Sequence, residues 1–298
     1  MLANFDQLLQ KVKNMPNKIV VIAAAHTHTA IEAAIMAKKE NLADCLLTGD
    51  KQFIVDYLNK NNPEFLGSFE IYDTNKDLVK AAEKTVSLVK EGKGELILKG
   101  KCPTNILLKA ILDKEKGLRT GGIMSDVLVY ETKERLILMG DGGLLPLPSL
   151  KEKVSIIKNC VAVANAMENP NPKVALLTHT EAVNPKIQST VDAHNLTMMN
   201  ARGQIKGCIV DGPLAFDNAV SKKAAELKGI ESEVAGDADI LVVPNIEAGN
   251  IFGKTLTYYC HYRTAHVVMG ARVPILVVSR VDNAETRFLS MALGINTA

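Results

Sequence analysis

"KIVVIAAAHTHTAIEAAIMAKKE" (Lys18 to Glu40) sets the fold class. Lys18 to Ala25 is an apolar run rich in β-branched residues, the signature of a strand buried on both faces. "TAIEAAIMAKKE" then repeats its apolar positions at helical spacing. Outward from this unit the same alternation continues. "DCLLTGD" (Asp44 to Asp50) is short and apolar, and a helical pattern comes after it. "TNKDLVKAAEKTVSLVKEG" opens at Thr74, where Thr74 and Asp77 resemble a capping box. Leu78, Ala82, Val86 and Val89 keep helical spacing, and Gly92 stops the helix. "ELILKG" is the next strand and "TNILLKAILDKEKG" the next helix, while "MLANFDQLLQKVKN" at the start reads as an amphipathic helix.

The pattern changes near Gly117. "GIMSDVLVYETKERLILMGDGG" reads as two strands joined by a charged turn at Glu131 to Glu134, hence a hairpin. Afterwards strands read at "KVALLTH", "IKGCIVDG", "DADILVVP" and "VPILVVSR", with helical patterns between them and "NAETRFLSMAL" last. Alternation of this kind specifies an α/β fold with mostly parallel sheets covered by helices on both faces. The interruption over 117–143 is the best place for a domain boundary.

The chain has 298 residues, which suits two domains. Its 47% apolar content supports a core, and the net charge of +2 gives no electrostatic argument for nucleic acid or an anionic membrane. Trp is absent, so stacking platforms for bases are not expected. No apolar run approaches the ~18 residues of a membrane span, and the N-terminus has no signal-peptide core. Cys45, Cys102, Cys160, Cys208 and Cys260 form no C-x-x-C pair and read as buried reduced thiols of a cytoplasmic protein. His26 and His28 lack further ligands, so a loop or cap role is expected rather than a metal site.

Ligands of open α/β sheets bind beyond the carboxyl ends of the strands. Those ends carry Lys99 and then Thr104; Thr178, His179 and Glu181; Asp211 in "DGP"; Asn245, Asn250 and Lys254; Ser279 and Arg280. Hydroxyls, helix N-termini and cations together suit an anion, phosphate above all. "EAGNIFGKT" (Glu247 to Thr255) tests this. It comes after a strand and ends in Gly-Lys-Thr as a P-loop does, but Ala248 stands where the first Gly is required. It is not a nucleotide-binding P-loop. Each residue also has a plain structural role: Ser279 and Asp282 as helix caps, Asp211 as a turn residue, Asn250 as a cap, Lys99, Lys109 and Arg280 as solvated charges.

Three long segments, in order, resemble the phosphotransacylases: "RGQIKGCIVDGPLAFDNAVS" (Arg202 to Ser221), "VAGDADILVVPNIEAGNIFGKTLTY" (Val234 to Tyr258) and "VSRVDNAETRFLSMAL" (Val278 to Leu293). "LDKEKGLRTG" (Leu112 to Gly121) resembles the phosphate butyryltransferase branch, and "PNPKVA" and "NPKIQST" also have counterparts in the family. The resemblance implies two α/β domains with an isopropylmalate-dehydrogenase-like architecture and an active-site cleft between them. The first domain would be 1–120 plus 266–298, the second 121–265. It implies reversible acyl transfer, acyl-CoA plus phosphate giving acyl-phosphate plus CoA, for short straight or branched chains of three to five carbons. Coenzyme A is then a substrate, and no metal or other cofactor is implied.

The same resemblance places Ser279 near the thiol and carbonyl and Arg280 on phosphate. Thr104, Lys99, Asn250, Lys254 and Asp211 would bind phosphate or CoA. Lys109 stands where the acetyl enzymes carry an Arg, keeping the charge without the bidentate fork. The acetyl branch has Glu then Asp six and seven residues after the Ser. Here these are Glu285 and Thr286, so Glu285 is the candidate base, or else a helix-surface carboxylate. Partners implied are an acyl (butyrate) kinase and further copies of the chain, through apolar surface on the last helix. Rival readings are an acetyl-specific enzyme, a metal-dependent decarboxylating 2-hydroxy-acid dehydrogenase, an acyltransferase acting on acyl carrier protein, and a non-catalytic acyl-CoA sensor.

Overall fold

The computed structural model describes residues 1–279 and 281–298. The chain divides into two compact units, Asp6–Gly122 with Ala265–Ala298, and Met1–Phe5 with Ile123–Thr264.

The first unit opens with α1 (Phe5–Lys13), β1 (Lys18–Ala23), α2 (His28–Lys39), β2 (Ala43–Gly49), α3 (Lys51–Asn61), β3 (Glu70–Asp73), α4 (Leu78–Lys90), β4 (Leu96–Lys99) and α5 (Thr104–Ile111). β1 lies between β2 and β4, and β3 pairs beyond β2, all parallel. Thr27, between the two histidines, caps α2 by accepting the Ala30 N–H. His26 is buried and its Nδ1 accepts the Asp50 N–H at 3.3 Å, an acceptor role that needs the neutral ring, which burial favours. His28 stacks on Tyr57. The expected capping box at Thr74 does not form. α4 begins later, and Asp77 alone caps it, accepting from Val79 and Lys80. The Thr74 hydroxyl is buried and has no hydrogen-bond partner among the described residues. Gly92, at φ +75°, ends α4 as read. β3 escaped the sequence reading because an edge strand of mixed exposure carries no apolar run.

The second unit holds β5 (Ser125–Glu131), β6 (Leu136–Gly140), α6 (Leu150–Ala166), β7 (Lys173–Leu177), α7 (Gln188–Ala201), β8 (Ile209–Leu214), α8 (Phe216–Val220), α9 (Lys222–Leu227), β9 (Ile240–Val242) and α10 (Ile246–Tyr258). The expected hairpin is present: β5 and β6 pair antiparallel, with Thr132 closing the turn onto the Arg135 carbonyl. β6, β9, β7 and β8 then lie side by side in parallel. Leu128, Met139, Ala175, Leu241 and Leu256 centre the core on one face. Two local readings change. β8 runs on through Asp211–Leu214, so "DGP" is strand rather than a turn after it. "EAGNIFGKT" is helical, and Asn245, not Asn250, caps α10.

The chain then returns to the first unit. β10 (Thr264–Met269) pairs antiparallel with β11 (Ile275–Leu276), and β11 pairs parallel with β4. β10 was missed because an antiparallel neighbour needs only a short connection, with no helix to announce it. α11 (Ala284–Thr297) is capped by Asn283, not by Ser279. Its residues Thr286 to Asn296 are all buried within the chain, so the helix does not offer the expected apolar surface. Four cysteines are buried as read, whereas Cys260, just past α10, is exposed. Among the described residues no helix is long and apolar enough to cross a membrane.

Candidate functional site

In the first unit the strand-end residues gather around a buried arginine. β4 ends at Lys99, which is only 2% exposed, against the expectation of a solvated charge. Beyond β11, the Asp282 carboxylate accepts the Ser279 N–H at 2.9 Å. Arg287, on the second turn of α11, is 1% exposed. Its guanidinium donates to the Lys99 carbonyl at 2.9 Å, the Ser279 carbonyl at 3.0 Å and the Thr29 hydroxyl at 3.2 Å. Burial lowers its pKa, and the nearby Asp282 carboxylate opposes that shift. Lys99 and Ser279, 180 positions apart in the chain, are therefore held by one side chain that sequence reasoning missed. Nothing in "AETRFLSM" marks the Arg as buried.

The other candidates of this unit sit differently. Thr104 opens α5 and Lys109 lies in its last turn, exposed. Five residues on a helix turn through about 140°, so the two do not share a face. Glu285 is exposed in the first turn of α11. Thr286, where the acetyl branch has Asp, is buried, and its carbonyl accepts the Ser290 hydroxyl. Arg280 lies outside the described residues.

In the second unit, α10 rises directly from β9. Gly249 lets it approach closely: a Cβ there would stand 2.6 Å from the Gly142 Cα. Asn250 and Lys254 lie one turn apart on the same face. The Lys254 ammonium lies over the Tyr258 ring, 5.7 Å from its centroid. Asp211, inside β8, accepts the N–H of its own neighbour Gly212 at 2.8 Å.

A cavity of about 650 Å³ opens in this unit beyond the ends of β7 and β9. The chain leaving β7 turns through α7 towards β8, whereas α10, leaving β9, packs over β5 with Phe252 against Tyr130. Diverging loops at neighbouring strand ends are the crevice where open sheets bind ligands. Thr178, His179 and Asn245 line it, as expected of residues at strand ends. Ser149, Lys153, Ser189 and Asp192, which the sequence did not point to, line it too. α6, α7 and α10 all start there. Ser149 forms a capping box with Glu152, Asn245 caps α10, and α7 begins without a side-chain cap. Lys153 and Asp192 pair at 2.7 Å in the wall, both buried.

The turn that leads to this wall is held by a carboxylate. Asp141 accepts the N–H groups of Gly143 at 2.8 Å and Leu144 at 3.0 Å. Asp126 is buried beside the same glycine. Burial first, and the Asp126 charge second, push Asp141 up to about 7. Among the described residues no group of three or more His, Cys, Asp or Glu is arranged to hold a metal ion.

Parallel strands with helix starts at a cavity beyond the strand ends place the chain in the α/β class, in which such crevices are where ligands bind. Residues 68–295 match the family described as phosphate acetyl/butaryl transferase, and the chain belongs to that family. It is 44% identical to a phosphate butyryltransferase of Clostridium acetobutylicum over 98% of this chain and 97% of that one. It is 41% identical to a phosphate acetyltransferase of Thermotoga maritima over 97% of each. A solved structure of a branched-chain phosphotransacylase from Enterococcus faecalis V583 covers 94% of this chain and 98% of its own. Its TM-score is 0.82 at 30% identity.

Proposed function

We propose that the protein is an acyltransferase moving a short acyl group, butyryl or branched and of three to five carbons, reversibly between CoA and inorganic phosphate. The observation that carries this is similarity at 44% identity, end to end, to a phosphate butyryltransferase. The fold shared with a branched-chain phosphotransacylase supports the same chain-length class. The acetyl-specific alternative has no better support, since the acetyltransferase relative is no more similar.

In the direction of CoA acylation, the thiol gives its proton to a base and the thiolate attacks the acyl-phosphate carbonyl. The C–S bond forms, the C–O bond to phosphate breaks, and phosphate leaves. No covalent enzyme intermediate is needed when the two substrates are held together. On this reading Ser279 donates a hydrogen bond at the reacting carbonyl, Arg280 holds phosphate and Glu285 takes the thiol proton. Lys99, Thr104 and Lys109 in one unit, and Asn250 and Lys254 in the other, bind the anionic parts of the substrates. Asp211, whose carboxylate receives the Gly212 N–H, is read as a further contact to CoA. The cavity beyond β7 and β9 receives part of the CoA molecule. The reading also takes 1–120 plus 266–298 and 121–265 as the two domains, a cytoplasmic homo-oligomer as the working form, and an acyl kinase as metabolic partner.

The test is phosphate-dependent release of CoA thiol from acetyl-, butyryl-, isobutyryl- and isovaleryl-CoA, with Arg280→Ala as control. Turnover that requires phosphate, collapses in the variant and favours the longer chains is expected. Absence of phosphate-dependent release from all four overturns the reading.

A further inference from the structure

We propose that Arg287 is a positioning residue for the reaction, fixing the main chain at Ser279 and Lys99 so that both side chains meet the substrates in one geometry. This rests on the role proposed for Ser279 above. A cation that is 1% exposed requires acceptors for its N–H groups, or its burial is costly. Here those acceptors are two main-chain carbonyls and a hydroxyl: Lys99 at the end of β4, Ser279 beyond β11, and Thr29 at the start of α2. No carboxylate is among these three acceptors. The Asp282 carboxylate is near enough to favour the charge, but the hydrogen bonds of the fork join backbone to backbone.

Ser279 is pinned from both sides. Its N–H is held by the Asp282 carboxylate at 2.9 Å and its carbonyl by Arg287 at 3.0 Å. Among the described residues, Val277 to Ser279 lie beyond the end of β11 at Leu276 and outside any assigned strand. Arg287 holds the main chain there at the Ser279 carbonyl. The planar fork matters: it spans two carbonyls at fixed separation, which the single ammonium of a lysine reproduces only in part.

The experiment compares wild type with Arg287→Met, Arg287→Lys and Thr29→Val. Each is measured for kcat and KM with both substrates, for thermal midpoint, and for amide exchange of the peptide spanning 277–283. Below the midpoint, kcat of Arg287→Met is expected to fall about 100-fold, the scale of a misplaced reacting group, with KM for either substrate within about threefold. Arg287→Lys recovers part of kcat, and exchange in 277–283 rises in both Arg variants more than elsewhere. Thr29→Val removes only the side-chain acceptor and serves as the stability control: its midpoint falls while kcat holds. Folded Arg287 variants with wild-type kcat overturn the proposal, as does unchanged exchange in 277–283. Should Arg287→Met not fold, Arg287→Lys decides on the same two readouts. A wild type without phosphate-dependent turnover is a failure of the functional reading instead, and the exchange measurement still judges the positioning role.

Discussion

Lys153 on α6 and Asp192 on α7 form an ion pair 2.7 Å long whose side chains are 7% and 8% exposed. Gln188 adds an amide hydrogen bond to the other carboxylate oxygen at 2.8 Å. The pair fastens two helix starts at the cavity. Removing one partner leaves a buried charge alone, so Asp192→Asn and Lys153→Met are each expected to cost about 3–5 kcal/mol. Replacing both with apolar residues is expected to cost far less. Urea unfolding of the two single variants and the double variant checks this as a cycle.

Stability is expected to depend on the Asp126–Asp141 pair. Burial and the Asp126 charge raise the folded-state pKa of Asp141 from 3.8 to about 7. The native state therefore holds a proton that the unfolded chain releases. Its contribution is fully present below about pH 4 and is lost as pH rises through about 7. Asp126→Asn removes the neighbouring charge, so its stability should fall less than that of wild type between these limits. Unfolding midpoints taken across the range for both proteins decide it; parallel curves would count against the pair.

Gly249 sits where α10 crosses the Asp141–Gly142 backbone. Gly249→Ala would place a Cβ 2.6 Å from the Gly142 Cα and 3.1 Å from the Asp141 carbonyl oxygen, both of them backbone atoms that cannot swing away. A loss of about 1–3 kcal/mol is expected from the forced shift. Turnover should fall as well, because Asn250 and Lys254 move with the helix. A variant of unchanged midpoint and unchanged KM for CoA would show that the contact is not needed.

Thiol chemistry gives a simple test of the packing. Burial pushes Cys45 up to about 12 and Cys208 up to about 11, which suppresses their thiolates. Cys102 and Cys160 are buried too, and Cys260 is exposed. A native chain should react rapidly with a thiol dye at Cys260 and slowly elsewhere, with all five cysteines reacting after denaturation. Cys260→Ser should abolish the rapid phase and lower the background of the CoA-release assay.

Glu285 is exposed in the first turn of α11, a position open to a substrate and equally natural for a surface carboxylate. If it takes the thiol proton, Glu285→Gln should lower kcat by about 100-fold or more. Unchanged turnover across pH would remove it as the base.

The legible part of this protein was its alternation. Runs such as Lys18–Ala25 and Glu95–Lys99 are apolar because both faces of a parallel strand are covered, so they stand out in one dimension. The helices after them announce themselves by period, and Gly92 by the left-handed turn it supplies. β3 and β10 were illegible because an edge strand and a tightly connected antiparallel strand need neither signal. Among the site residues, Thr178, His179 and Asn245 were legible because they come directly after strands. Lys153, Ser189 and Asp192 were not, because they project from helices, whose placement over the strand ends is not written in their local sequence.

By itself the sequence determined the order and type of most elements, the family, and the residue types at strand ends, since each depends on neighbours close along the chain or on long matching segments. Only the tertiary structure decided that Lys99 is buried, that "EAGNIFGKT" is a helix seated on Gly142, and that Arg287 joins residues 29, 99 and 279. These depend on groups far apart in the chain, and burial or hydrogen bonding between such groups exists only once the backbone has brought them together.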